Sequence, residues 1–157
     1  MERETEIDRA GGRIEIARLG PGDERRVIAA GYLFDHQPRA EATRKFLSEA
    51  GHHLLIAYRE GEPVGFVSGV ETTHPDKGTE MFLYELAVGE GARRSGVGSA
   101  LVTALAELSR ARGCSGMWVL TDDENPAGLA TYARAGGVRE RPDAVLFNWD
   151  FSAEKKK

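Results

Sequence analysis

The part of the sequence with the clearest chemistry is the turn Arg93-Arg94-Ser95-Gly96-Val97-Gly98, which combines two cations with two closely spaced glycines. It follows the apolar run Tyr84–Val88 and precedes a long amphipathic stretch, so a strand, a turn and a helix are predicted in that order. Glycines let the backbone approach an anion and adopt positive φ. Successive N–H groups then form a concave nest, to which a helix N-terminus adds partial positive charge. The segment therefore predicts a binding site for a pyrophosphate group.

Two other phosphate-binding motifs do not match this turn. A dinucleotide fingerprint that begins at Gly89 needs glycine or alanine at position 94, where the chain has Arg94. No Gly-Lys-Ser/Thr sequence follows to complete a nucleotide-binding P-loop. On this segment alone, the alternative is a basic, glycine-rich surface turn without a ligand.

The elements that must position the turn are predicted from apolar periodicity and from turn residues. Helices are predicted where apolar residues recur every three to four positions, and strands where they alternate or form a short run. The predicted strands are Arg13–Leu19, His53–Arg59, Val64–Thr72, Met81–Val88, Gly116–Leu120 and Ala144–Phe151, and the predicted helices are 21–34, 39–50, 97–112 and 126–135. This order predicts a mixed α/β sandwich rather than a doubly wound sheet.

Length and composition limit the domain organisation. The 157 residues, of which 41% are hydrophobic, suit one domain with its own core. We expect a flexible leader at 1–12, the domain at 13–151 and a basic tail at 152–157. No apolar run reaches membrane-spanning length and no secretory segment is visible, so a cytoplasmic setting is expected. The single cysteine, Cys114, excludes an internal disulfide and is interpreted as a buried small residue rather than a nucleophile.

The charge distribution excludes one class of partner. The formal net charge is −4, and a terminal run of three lysines is included in it. Without that run the chain carries 18 basic against 25 acidic side chains. Nucleic acid is not expected as a partner, because binding it requires a basic face. An acidic surface serves solubility in many proteins, and it also suits a cationic substrate.

A second motif lies downstream, where Asn125-Pro-Ala opens the predicted helix that contains Tyr132. Capping alone would account for an asparagine followed by proline at a helix start. Together with the pattern Arg93-x-x-Gly96-x-Gly98, however, the motif resembles the GNAT superfamily of N-acetyltransferases. The resemblance covers about residues 13–151, and it departs at Gly137, where the family usually has phenylalanine.

The resemblance implies acetyl-CoA as the co-substrate, no metal, and a GNAT fold. In that fold the strand Met81–Val88 splays from Gly116–Leu120, and a β-bulge near Glu85–Leu86 creates the gap. Pantetheine would pair in the gap with backbone groups of Leu86, Ala87 and Val88. The pyrophosphate would be held by Arg93, Arg94, Ser95, Gly96, Val97, Gly98 and Ser99, and the pantetheine arm would be contacted by Asn125.

The resemblance also implies how acetyl transfer to an amine would be catalysed. Glu85 matches the position of a general base that deprotonates the amine, directly or through water. Tyr132 would point its hydroxyl at the thioester sulfur and act as the general acid. A backbone N–H of Leu86 or Ala87 would polarise the carbonyl group. The alternative for Glu85 is a surface carboxylate on the outer face of its strand, but a lone acid in so apolar a strand favours the catalytic role. Tyr132 could equally be a half-buried aromatic residue on its helix.

The acceptor is indicated by the acidic run Asp122-Asp123-Glu124 at the end of a core strand. With the other motifs, this run resembles the small aminoglycoside 3-N-acetyltransferases, which implies acetylation of a polycationic antibiotic, resistance to it, and a homodimer. The ammonium groups would be bound electrostatically by Glu85, Asp122, Asp123, Glu124 and Asp143. The alternatives are a solvated acidic loop, a peptide, protein or polyamine N-acetyltransferase, and a non-catalytic acyl-CoA-binding domain.

Overall fold

The computed structural model describes residues 5–9 and 12–152. The strands are β1 Thr5–Arg9, β2 Gly12–Leu19, β3 His52–Arg59, β4 Glu62–His74, β5 Gly78–Val88 and β6 Met117–Trp118. The helices are α1 Glu24–Ala29, α2 Ala40–Ser48, α3 Val97–Ala111 and α4 Pro126–Arg134, with two short 3₁₀ turns at Gly31–Leu33 and Glu90–Ala92. The order is that of a mixed α/β fold, as the sequence predicts.

The strands form one six-stranded sheet in the order β1-β2-β3-β4-β5-β6. Every neighbouring pair is antiparallel except β5 and β6, which are parallel. The core lies on both faces of the sheet. On one face, side chains of the sheet pack with those of α3; this cluster includes Ile14, Leu55, Val67, Met81, Leu83, Leu101 and Leu105. On the other face, side chains of the sheet pack with those of α1 and α2; this cluster includes Leu19, Val27, Leu47, Leu54, Ile56 and Phe66. None of the helices in the described part of the chain has the length and apolar composition of a membrane-spanning segment.

Strand β5 is irregular at the point where the sheet opens. Opposite β4, Leu83 pairs with Gly69 and Glu85 pairs with Ser68, so Tyr84 is the extra residue of a β-bulge. The bulge lies one residue before the predicted position. On its other edge β5 pairs with β6 only at Met81 and Phe82. The two strands therefore splay beyond Phe82, as the sequence resemblance implies.

Three other elements differ from the sequence prediction. The helix predicted over 21–34 is limited to Glu24–Ala29, and a separate 3₁₀ turn follows at Gly31–Leu33. The strand predicted over Gly116–Leu120 is reduced to two residues. The strand predicted over Ala144–Phe151 does not form, since this part of the chain has no strand beside it.

The N-terminal prediction also changes. A flexible leader is expected over residues 1–12, but Thr5–Arg9 forms β1 and pairs antiparallel with β2. Its alternating pattern allows a register in which Ile7 is opposite Ile14. The remainder of the predicted leader lies outside the described residues, except Gly12, which begins β2.

An ion-pair network holds the C-terminal end of α3 against the sheet. Arg112 Nε donates to Glu71 Oε2 at 2.9 Å, and His53 Nε2 contacts the same oxygen at 2.9 Å. Arg18 donates to His53 Nδ1 at 3.0 Å, so the imidazole is neutral and donates through Nε2 to Glu71. Burial accordingly lowers the pKa of His53.

Cys114, just after α3, is partly buried and packs against the core cluster that contains α3. Burial raises the pKa of its thiol, which agrees with a structural role.

Candidate active site

The turn between β5 and α3 has the backbone geometry of an anion-binding nest. Arg94 has φ 62° and Gly96 has φ 84°, so two residues of the turn lie in the left-handed region. The first helical hydrogen bond runs from Ala100 N to Gly96 O at 3.1 Å. Among the residues that the structure describes, the backbone N–H groups from Arg94 to Ser99 have no acceptor. Six consecutive donors are therefore available at the start of a fifteen-residue helix.

Side-chain donors around the turn reinforce this geometry. Ser99 is 5% exposed, and its buried hydroxyl has no hydrogen-bond partner among the described residues. Arg59 at the end of β3 donates from Nη2 to Ser95 Oγ at 3.3 Å, while its buried Nε has no partner there. Arg93 Nε donates to Val88 O at 3.4 Å. The donors present thus fit a pyrophosphate group, because an anion would satisfy polar atoms that the described fold leaves unpaired.

Arg59 is a residue that sequence reasoning missed. It ends the predicted strand His53–Arg59 and lies 36 residues before Ser95, so no local pattern connects the two positions. The antiparallel pairing of β3, β4 and β5 brings them together. The feature of the sequence that could have indicated this role is the position of Arg59, a cation immediately before a hairpin turn.

Gly98 has a different role from Gly96. It lies inside α3, and an added Cβ would lie 3.2 Å from Thr131 Cγ2 of α4 and 3.5 Å from Val88 Cγ2 of β5. The missing side chain therefore allows α4 to pack closely against α3 and β5. This contact positions the helix that carries Tyr132 next to the pyrophosphate turn.

Asn125 and Tyr132 both belong to α4, Asn125 as its N-cap residue and Tyr132 near its C-terminal end. Asn125 Oδ1 accepts from Gly128 N at 3.0 Å, and Asn125 Nδ2 donates to Thr121 Oγ1 at 3.0 Å, so the side chain caps α4. Its contact with pantetheine stays a prediction. Tyr132 is half-buried, packs against the core beside α3, and has its phenol pKa raised by burial. The hydroxyl therefore keeps its proton around neutral pH, as a general acid must.

Glu85 is half-buried in β5, immediately after the bulge. Burial raises the pKa of its carboxyl group, the charge of Asp35 raises it further, and His36 lowers it. Asp35 and His36 belong to the connection between α1 and α2, in which Phe34 stacks on Phe66 of β4, the strand next to β5. A carboxylate whose pKa is raised toward neutrality is suited to accept a proton from an amine. Sequence reasoning missed Asp35 and His36, because only the fold brings the α1–α2 connection to β5.

The remaining predicted acids lie in the loops on either side of α4. Asp122, Asp123 and Glu124 are exposed between β6 and α4, and Asp143 is exposed after it. Asp123 forms an ion pair with Arg139, and Asp143 lies 3.6 Å from Arg141 Nε. Two of the predicted acceptor-binding carboxylates therefore already have cationic partners. Among the described residues no hydrogen bond or ion pair joins these acids to Glu85, so the predicted set falls into two groups.

Splayed strands, a β-bulge and an anion nest at the start of the longest helix together define the N-acetyltransferase class of α/β proteins. The sequence model of the acetyltransferase (GNAT) family matches residues 23–137, and the chain belongs to that family. No curated protein matches the chain.

Solved structures share the fold along nearly the whole chain. The aminoglycoside acetyltransferase HMB0005, from an uncultured soil metagenomic sample, is 28% identical and superposes with a TM-score of 0.74, covering 87% of this chain and 97% of its own. The aminoglycoside acetyltransferase meta-AAC0020, also from soil and in complex with sisomicin, is 22% identical with a TM-score of 0.80, covering 88% and 96%. A ribosomal-protein-alanine N-acetyltransferase from Brucella melitensis biovar Abortus 2308 is 20% identical with a TM-score of 0.68, covering 86% and 99%.

Proposed function

We propose that this protein transfers the acetyl group of acetyl-CoA to an amine of an aminoglycoside antibiotic, at the 3-amino group, and thereby confers resistance. The observation that carries the co-substrate assignment is the run of six unpaired N–H groups from Arg94 to Ser99. The acceptor class is supported by the likeness to HMB0005, which is 28% identical, and to meta-AAC0020, which is 22% identical; both are aminoglycoside acetyltransferases. Fold likeness alone would not distinguish acceptors, since the Brucella enzyme named for a ribosomal-protein alanine shares the fold.

In this proposal the residues of the cleft have separate roles. Acetyl-CoA supplies an activated acyl group as a thioester. The turn Arg93–Ser99 binds the diphosphate, with Arg59 as a further cation at its rim. Backbone groups of Leu86, Ala87 and Val88 align the pantetheine arm along the open edge of β5, and Asn125 contacts the arm from α4.

Proton transfers are assigned to two side chains. Glu85 removes a proton from the acceptor ammonium and leaves a neutral amine that can attack. An N–H of Leu86 or Ala87 donates to the carbonyl oxygen as negative charge develops on it. Tyr132 donates its proton to the departing sulfur, and its phenolate is reprotonated by the second proton that the nitrogen loses as the amide forms. Glu85 then releases the first proton to solvent. Much of the acceleration comes from holding both reactants in one cleft.

The proposed function is tested by measuring thiol release from acetyl-CoA against a panel of gentamicin-like drugs, polyamines and short peptides. We expect turnover with the drugs, and two-dimensional NMR of the product should show acetylation at the 3-amino group. Turnover of peptides alone would support the peptide alternative. Binding of acetyl-CoA without turnover of any amine would support a non-catalytic acyl-CoA-binding domain.

The pH dependence of the reaction should report the environment of Glu85. The base acts when ionised, so kcat/KM falls as pH decreases through its pKa, which burial and Asp35 raise. Asp35→Asn removes a negative charge, so the acid limb of the pH profile should move to lower pH. His36→Asn removes a positive charge that lowers the same pKa, so the limb should move to higher pH. Equal profiles for all three proteins would show that Asp35 and His36 do not control the group that titrates on the acid limb, and an unchanged acid limb in Glu85→Gln would exclude Glu85 as the base.

The acidic loop before α4 should affect acceptor binding rather than chemistry. Replacing Asp122 and Asp123 by Asn removes two charges and releases Arg139 from its ion pair. We expect KM for a polycationic acceptor to rise about 3- to 10-fold at low salt, the range that two exposed ion pairs provide. The matched control removes two exposed acids elsewhere, Glu107→Gln and Asp76→Asn. An unchanged KM would favour a solvated loop.

A further inference from the structure

Strands β5 and β6 carry three aromatic side chains in mutual contact, Phe82, Tyr84 and Trp118, named here the aromatic platform. The rings of Phe82 and Trp118 stack with centroids 4.2 Å apart, and those of Phe82 and Tyr84 lie 5.9 Å apart in a T-shaped arrangement. Tyr84 is 68% exposed and Trp118 is 41% exposed. Single exposed aromatic residues are ordinary on a protein surface, whereas contiguous ones mark a binding site.

Phe82 and Trp118 lie on the face of the sheet away from α3. Met81 and Met117 both pack in the core cluster that contains α3, and each immediately precedes one of the two aromatic residues. Successive side chains of a strand point to opposite faces. The stacked pair therefore faces the side of the sheet on which α1 and α2 pack.

The β-bulge adds Tyr84 and Glu85 to the same face. Leu83 and Leu86 pack in the cluster with α3 and are separated by two residues rather than one. Both intervening side chains therefore point away from α3, which strict alternation would not allow. The proposed base and the platform consequently share one surface, and the bulge is the feature that joins them.

Carboxylates lie on both sides of the platform. Glu85 directly follows Tyr84 in β5. On the other side, the chain continues from Trp118 to the acidic loop, residues 122–124, whose first residue is four positions on. Four residues of extended chain span at most about 14 Å. The platform therefore lies between Glu85 and the acidic loop, the two groups of predicted acceptor-binding acids.

We propose that the aromatic platform binds the rings of the acceptor and makes the site selective for polyamines built from rings over linear ones. This inference rests on the proposed function and names the surface that selects its substrate. Ammonium groups are attracted to the faces of tryptophan and tyrosine, and the C–H faces of amino-sugar rings supply apolar area that aromatic side chains cover. A rigid polycation loses little conformational freedom on this surface, whereas a linear polyamine must be ordered along its length.

The first test measures KM for a gentamicin-like drug in Tyr84→Leu and Trp118→Leu. We expect KM to rise about 2- to 5-fold in each, the effect of one exposed contact between a cation and an aromatic ring. The value of kcat should fall less than KM rises, and acetyl-CoA affinity should be unchanged. Tyr84→Phe and Trp118→Phe keep a ring and should restore most of the drug affinity.

The matched control is Tyr32→Leu. It removes a tyrosine of nearly equal exposure, 66%, from the 3₁₀ turn Gly31–Leu33, where its hydroxyl donates to Pro63 O. Its KM for the drug should equal that of the unchanged enzyme. A rise in KM equal to that of the platform variants would show that any exposed tyrosine has this effect, and it would overturn the proposal.

The second test compares the drug with spermine, a linear tetraamine, by calorimetry on the protein with CoA bound. The leucine variants of the platform should weaken binding of the drug more than binding of spermine. Asp122→Asn combined with Asp123→Asn should weaken both ligands, because charge alone attracts a linear polyamine. Equal losses of drug and spermine in the platform variants would show that the platform does not select rings.

The outcomes separate this inference from the proposed function. An unchanged enzyme that neither binds nor acetylates the drug would overturn the proposed function and the inference with it. Normal turnover of the drug with an unaltered KM in both leucine variants would overturn the inference alone. A lower thermal stability of those variants without a change in KM would show that another part of the chain covers the platform, which would also overturn it.

Discussion

Gly96→Val should abolish binding of acetyl-CoA. Gly96 has φ 84°, a conformation that a β-branched residue adopts only under strain. Forcing a residue with a side chain into the left-handed region costs about 1–2 kcal/mol, so the turn is expected to relax and the six N–H groups to lose their common direction. Isothermal titration calorimetry should show affinity for acetyl-CoA at least about 100-fold weaker, a loss of about 2.7 kcal/mol.

Two further variants separate loss of the nest from loss of the fold. Gly91→Val adds the same side chain in the 3₁₀ turn just before, where no heavy atom lies within 4 Å of the new Cβ, and binding should stay within a few-fold. Gly96→Asn should retain intermediate affinity, because asparagine tolerates the left-handed region better than valine. Thermal unfolding checks that all three proteins fold. Normal binding by a folded Gly96→Val protein would contradict the assignment of the turn to the diphosphate.

The strand, turn and helix around Arg93–Ser99 could be predicted from the sequence because their signals are local. The apolar run of β5, the glycine-rich turn and the buried stripe Val97, Leu101 and Leu105 all lie within one short stretch, and the structure has α3 at Val97–Ala111, one residue shorter than predicted. The β-bulge, in contrast, depends on the register against β4. Its position at Tyr84 rather than at Glu85–Leu86 could not be obtained from β5 alone.

The residues that sequence reasoning missed depend on contacts between distant parts of the chain. Arg59 reaches Ser95 because β4 and β5, which separate them in the chain, pair side by side with β3. Asp35 raises the pKa of Glu85 because the α1–α2 connection packs on β4, next to β5. The prediction of a strand at 144–151 was wrong for a related reason: alternation of apolar residues does not specify which strand would pair with the segment. Alternation specifies a strand's faces, whereas its partner must be supplied by the rest of the fold or by another molecule.

The acidic residues show why the acceptor is harder to assign than the co-substrate. The diphosphate turn leaves donors unpaired within the described fold, which indicates a ligand. Asp123 and Asp143 instead have arginine partners, so an incoming ammonium group must compete with Arg139 and Arg141. A polycation can do so because it offers several charges at once. This competition explains why acceptor affinity is expected to depend strongly on ionic strength.

Tyr132→Phe should lower kcat strongly and leave acetyl-CoA binding within a few-fold. The substitution keeps the ring that packs beside α3 and removes the proton donor. A positioned general acid contributes about 10²–10⁴-fold, and we expect a loss of about 100-fold because a thiolate is a better leaving group than an alkoxide. Burial raises the pKa of the phenol, so the unchanged enzyme should not lose activity through ionisation of Tyr132 between neutral and mildly alkaline pH.

The measurement pairs steady-state kinetics with calorimetry, because a purely structural role would change both kcat and affinity. Tyr58→Phe is the matched control, since the buried Tyr58 hydroxyl has no hydrogen-bond partner among the described residues and no role in the proposed chemistry. Its kcat should equal that of the unchanged enzyme. If Tyr132→Phe retained full kcat, the proton on the departing sulfur would have to come from solvent, and Tyr132 would be reduced to packing α4 against the core.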